Sequence, residues 1–132
     1  MNTMNTKRIK NNKRAFVIAL AIIVAILHFV IGPNYKGPFK NFLTGYLIDI
    51  LLPFFLYFLF TLHIIPTWQK IAVGAGIFIF GSVIEYLQYR GAGVFGSTFD
   101  PYDFAAYFVG IGSAVVFDFI VWNRIICKKL SA

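Results

Sequence analysis

Four long apolar runs decide what this chain can become. They cover residues 15–31, 44–65, 71–89 and 101–122 of a 132-residue sequence, and none carries more than two formal charges. A helix needs about 20 residues to cross hydrocarbon, within a range of about 17–25. In lipid only a helix or a closed barrel satisfies every backbone N–H and C=O. The runs lack the in–out alternation of barrel strands. The expected fold is therefore all-α: one polytopic membrane domain, a four-transmembrane-helix bundle, with basic tails at 1–14 and 123–132. Composition agrees, with 59% hydrophobic and 13% charged residues and a mean hydropathy of +0.76. Soluble domains average about 45–50% apolar and about 25% charged. The first run follows a basic segment but has no small-residue cleavage site after it, so it reads as a retained helix and not a signal peptide.

A net charge of +7 would suit nucleic acid, but the cations flank the apolar runs instead of forming a patch. With the N-terminus inside, Lys7, Arg8, Lys10, Lys13, Arg14, Lys70, Arg124, Lys128 and Lys129 fall on the inner side, and Lys36, Lys40 and Arg90 on the outer. That bias predicts cytoplasmic termini and the bilayer, not nucleic acid, as the partner of these charges. Trp68 and Trp122 near one interface, and Tyr35, Tyr46, Tyr89 and Tyr102 near the other, fit aromatic belts. Cys127 is the only cysteine; it reads as a reduced thiol, with palmitoylation the alternative beside Lys128 and Lys129.

Acids inside such runs are expensive. A charge at the centre of a membrane helix costs about 2.5–3.5 kcal/mol on the insertion scale. It persists where it faces the bundle interior or a wet cavity, and there it marks a site. The alternating directions of the four helices bring Asp49, Glu85, Gln88, Arg90, Asp100 and Asp103 to one outer level, with His28 in the last turn of the first helix. Ser82, Glu85 and Gln88 share a face at i+3 steps, as do Tyr46 and Asp49. Asp103 heads a small-residue stripe of Ala106, Gly110 and Ala114 that lets helices approach closely. Pro53 removes the helical partner of the Asp49 carbonyl, so a kink and the acid read as one feature beside the reading of an ordinary tolerated proline. Each polar residue also has a plainer role. Asp100-Pro101-Tyr102-Asp103 is a helix start with Asp at N-cap and Pro at N1. Gln88 and Arg90 can snorkel to the interface, and His28 can be a lone interfacial histidine. His63 and Asp118 are placed to pair at the inner end. "GAGVFG", residues 91–96, follows a membrane helix and not a strand, so it reads as a flexible outer loop and not a nucleotide site.

"IEYLQYR" followed by "FDPYDFAAYFVGIG" resembles the VanZ-like family of small bacterial membrane proteins. That family has an acid-x-x-Gln at a helix end, an arginine, then D-x-x-D opening the next helix, a polar residue and glycines. The corresponding positions are Glu85, Gln88, Arg90, Asp100, Asp103, Tyr107, Gly110 and Gly112. The resemblance covers the third and fourth helices; the first two match in number and placement. Tyr107 stands where the family has asparagine, and Arg90 lies farther from the D-x-x-D. A related uncharacterised group with tyrosine at that position resembles this chain more closely. The resemblance implies a bacterial plasma membrane, a role in the cell envelope and an association with glycopeptide (teicoplanin) resistance. The expected function is an outward-facing polar cluster, comprising Asp49, Glu85, Gln88, Arg90, Asp100, Asp103 and Tyr107. It would bind a lipid-linked or peptide ligand or another membrane protein, without cofactor or metal. The alternatives are an intramembrane metal-assisted hydrolase using Asp49, Glu85, Asp103 and His28, and a small transport or assembly subunit working as a homo-oligomer.

Overall fold

The computed structural model describes residues 3–63, 66–93 and 99–126. Four helices are long and apolar enough to cross a membrane: span 1 (Lys7–Asn34), span 2 (Phe42–Phe60), span 3 (Thr67–Tyr89) and span 4 (Tyr102–Trp122). No strand occurs among the described residues. This is the all-α membrane bundle expected from the apolar runs. Span 1 contains a π-helical turn at Ile26–Ile31, span 2 opens on one at Phe42–Tyr46, and span 4 runs on as a π-helix over Asp118–Ile126.

Three boundaries differ from the hydropathy reading. The helix of span 1 is already formed at Thr3, so the segment expected to be a basic tail is helical. Ile9, Lys13, Phe16, Val17 and Leu20 recur at three- and four-residue spacing, and this face, with Ile9, Lys13 and Val17 buried, lies against the bundle. Span 2 ends at Phe60, where Thr61 turns back on Tyr57 through both its N–H and its hydroxyl; residues 64–65 lie outside the described part. Span 3 starts at Thr67 because extended Pro66 stops any helix before it and offers its carbonyl to the N–H groups of Gln69 and Lys70. Lys70, expected in a loop, is therefore inside the helix. At the other end of span 3 the backbone closes in a Schellman motif: Gly91 has φ +82°, Gly91 N–H donates to Gln88 O and Ala92 N–H to Leu87 O. Glycine supplies the left-handed turn there without a Cβ penalty. The rest of the glycine-rich loop, residues 94–98, lies outside the described part.

Packing is closest between spans 2 and 4. Ala106, Gly110 and Ala114 are buried along one face of span 4. A Cβ on Gly110 would collide with the Ile50 carbonyl oxygen and approach Pro53 Cγ at 2.9 Å. Pro53 thus sits within a continuous helix, Leu47–Phe60, with its ring against the glycine. Span 3 reaches span 4 at Gly74, whose missing Cβ leaves room for Ile111, and at Gly81, which lies against the Tyr107 ring. Span 1 lies against span 2. Their shared core is aromatic: Phe16 stacks on Phe117 at 5.4 Å and meets Phe58 edge-on at 5.0 Å, and Phe58 meets Phe117 edge-on at 5.8 Å. Edge-to-face and offset pairs at such distances add about 0.5–1.5 kcal/mol beyond burial.

Gly110→Leu is expected to force spans 2 and 4 apart and to cost about 3 kcal/mol, as overpacking does. Gly112→Ala, where nothing lies within 4 Å of the added methyl, is expected to unfold like wild type or slightly later. Denaturant titration in micelles, followed by helical circular dichroism, checks the pair.

Candidate functional site

The polar residues form two groups at opposite ends of the bundle. At the end where span 1 begins and span 4 finishes, Asp118 is wholly buried. Lys70 Nζ lies 2.6 Å from its Oδ2 and Lys13 Nζ 3.5 Å from its Oδ1. The Tyr57 hydroxyl donates to Oδ2 at 3.2 Å, and Lys13 also donates to the Thr61 carbonyl at 2.6 Å. One carboxylate therefore joins spans 1, 2, 3 and 4. His63, placed by sequence as its partner, is exposed, and the ion pairs of Asp118 among the described residues are with the two lysines. The helical extension of span 1 and the early start of span 3 explain the exchange, because they carry Lys13 and Lys70 to the acid. This group was missed in the sequence because both lysines read as flanking charge. The available signal was Asp118 itself, an acid inside an apolar run like Asp49 and Glu85.

At the opposite end the charges are all of one sign. Glu85 on span 3 is 1% exposed. Its Oε1 accepts the Tyr107 hydroxyl of span 4 at 2.9 Å, and its Oε2 is buried with no partner among the described residues. Asp49, on span 2, and Asp103, on span 4, lie near each other, and Glu85 interacts electrostatically with both. Asp100 caps the group. Its Oδ1 accepts the N–H of Tyr102 at 2.9 Å and its Oδ2 the hydroxyl of Tyr46 at 2.7 Å, so the helix-start reading holds and a tie to span 2 is added. The Tyr46 hydroxyl, followed by the Tyr102 N–H, holds the Asp100 carboxyl below the ordinary carboxylate range. A depressed folded value means that this tie is in full force above the ordinary value and weakens as pH falls through the folded one.

The fold thus brings Asp49, Glu85, Asp103 and Tyr107 together, with Asp100 at their edge. Gln88 is half-buried one turn beyond Glu85. Arg90 does not join: it is exposed at the C-cap of span 3 and forms no ion pair among the described residues. Five helical steps rotate it about 140° from Glu85, and the chain turns away at Gly91. His28 is exposed on span 1, its ring edge-on to Phe29. Among the described residues no group of three or more His, Cys, Asp or Glu is arranged to hold a metal ion. The arrangement can accept cationic or hydrogen-donating groups; it contains no nucleophile set beside a base. No family model, curated protein or solved structure matches the chain.

Asp118→Asn is expected to leave two buried ammoniums facing a neutral amide and to cost about 3 kcal/mol, the usual result of breaking a buried pair from one side. The same micelle unfolding titration checks it, and an unchanged midpoint would show that the lysines do not depend on Asp118.

Proposed function

We propose that the chain is a VanZ-like membrane protein of the bacterial cell envelope, with both termini cytoplasmic. The carboxyl cluster faces outward and binds a lipid-linked or peptide ligand or a membrane partner. The observation that carries this reading is Glu85: a carboxylate buried on a membrane helix, one oxygen held by Tyr107 and the other without a partner. Charged groups in a bilayer persist when paired, and unpaired ones mark function. Two of the residues that carry the family resemblance, Glu85 and Tyr107, also meet in space across 22 positions of sequence. The outward orientation is supported by the Lys and Arg bias toward the terminal end of the bundle. Association with glycopeptide resistance follows from the resemblance alone.

Expression of the chain in a teicoplanin-susceptible bacterium is expected to raise the inhibitory concentration of the drug. Glu85→Gln and Asp103→Asn are expected to return it to the vector level while membrane abundance stays at the wild-type level. Abundance falling in step with resistance would make the cluster a structural brace. Full resistance in both variants would remove the cluster from the function, and no rise with the wild-type chain would remove the link to resistance.

A further inference from the structure

The end of the bundle where span 1 begins carries a charge that the side chains of this sequence cannot balance. The sequence holds five acids. Asp49, Glu85, Asp100 and Asp103 stand at the opposite end, and Asp118 is taken up by Lys13 and Lys70. No acidic side chain remains for Lys7, Arg8, Lys10, Arg14 and Arg124, and residues 127–132 add two lysines and no acid. Four of these cations share one helix. Lys7, Arg8 and Arg14 are exposed and Lys10 is half-buried. Lys7, Lys10 and Arg14 form a stripe at i, i+3 and i+7, with Arg8 beside it, on the side of span 1 turned away from buried Ile9 and Lys13. Ile9 and Val17 share a buried core with Trp122, and Phe16 meets Trp122 edge-on at 6.0 Å. This stretch of span 1 is therefore seated on the end of span 4, where Arg124 is also exposed. Like charges gathered in this way oppose the packing that brings Lys13 to Asp118, unless an anionic surface covers them.

The level of the stripe identifies the anion. The apolar run of span 1 starts at Ala15, directly after Arg14. From Lys7 to Arg14 the helix rises about 10 Å, and the headgroup layer beside the hydrocarbon is about 5–7 Å thick. The stripe thus begins at the hydrocarbon edge and crosses the layer in which lipid phosphates lie. The long side chains of Lys7 and Arg8 can bend back to the same layer. Trp68, 67% exposed in the first turn of span 3, stands at the same end and is the residue type that a headgroup interface favours. We propose that the outward face of Lys7, Arg8, Lys10 and Arg14 binds the headgroups of anionic phospholipids, and that these lipids hold the first turns of span 1 on the bundle. The charge of the bilayer then sets how firmly Lys13 is kept at Asp118. This surface is separate from the carboxyl cluster and independent of what that cluster binds.

Amide hydrogen exchange of the full chain in lipid nanodiscs tests the assignment. One set contains phosphatidylcholine alone, the other phosphatidylcholine and phosphatidylglycerol in equal parts. Exchange over residues 7–14 is expected to be at least about tenfold slower in the anionic discs, because each Lys or Arg near such a surface adds its own attraction. Residues 104–114 of span 4 are expected to exchange alike in both. Salt at about 1 M, where the screening length is about 3 Å, is expected to remove most of the difference. The triple variant Lys7→Gln, Lys10→Gln, Arg14→Gln is expected to exchange over this stretch at one rate in both discs. Equal exchange of the wild-type stretch in the two discs would overturn the proposal, and so would an equal slowing across residues 104–114. A triple variant that keeps the full difference would take the site away from this face. An oligonucleotide added to the phosphatidylcholine discs supplies a soluble polyanion and is expected to give no protection. Protection by it equal to that of phosphatidylglycerol would reassign the face and overturn the lipid.

Discussion

A bilayer offers no solvent for charge, and the way the chain meets that constraint is written most clearly at Asp118. Lys13 and Lys70 come to it from spans 1 and 3, Tyr57 from span 2, and the acid itself stands on span 4. Continuum and mutational work on buried pairs shows that such a group contributes little net stability when whole but is costly to break from one side. Its structural consequence is registration. All four spans are fixed along the membrane normal at one end, and the other end is then held at a defined level. There the chain does the opposite: it gathers Asp49, Glu85 and Asp103 and, among the described residues, sets no base beside them.

Backbone proximity makes that second gathering possible. Gly110 lets the Ile50 carbonyl and the Pro53 ring come against span 4, closer than any side chain at that position would permit. Asp49 directly precedes Ile50 at this crossing, and Asp103 lies about two turns before Gly110 on span 4, so both acids flank the same seam. Gly81 does the same for span 3, giving the Tyr107 ring a flat bed from which its hydroxyl reaches Glu85. The polar site is thus a by-product of where small residues stand, and aromatic packing around Phe16, Phe58 and Phe117 secures the far end.

Much of this was legible in the sequence, for identifiable reasons. Hydropathy found the four spans because hydrocarbon thickness dictates their length. Alternating direction placed the acids at one level, and the Ala106, Gly110 and Ala114 stripe named the face of span 4 that packs. Asp100 was readable as a helix start because its carboxylate caps a backbone N–H two residues on. What escaped was whatever depended on a partner from another helix. Lys13 and Lys70 look like flanking cations until Asp118 is known to sit between them. Arg90 looks like a counter-ion for Glu85 until the rotation of the last turn and the left-handed Gly91 direct it elsewhere. Tyr107 entered through the family resemblance, and only the fold shows that its hydroxyl binds the acid that opens the motif.

The central claim is that one end of the bundle gathers buried Glu85 with half-buried Asp49 and Asp103 and sets no base beside them among the described residues. Supplying the base tests it most directly. Asp103→Lys would put an ammonium between Asp49 and Glu85, whereas Phe108→Lys, at a position 70% exposed on the same span, would place one in lipid. A lysine facing lipid near the middle of a membrane helix costs about 2.5–3.5 kcal/mol. The unfolding free energy of Asp103→Lys in micelles or bilayers is expected to equal or exceed that of wild type. A loss as large as that of Phe108→Lys would contradict the convergence of the acids.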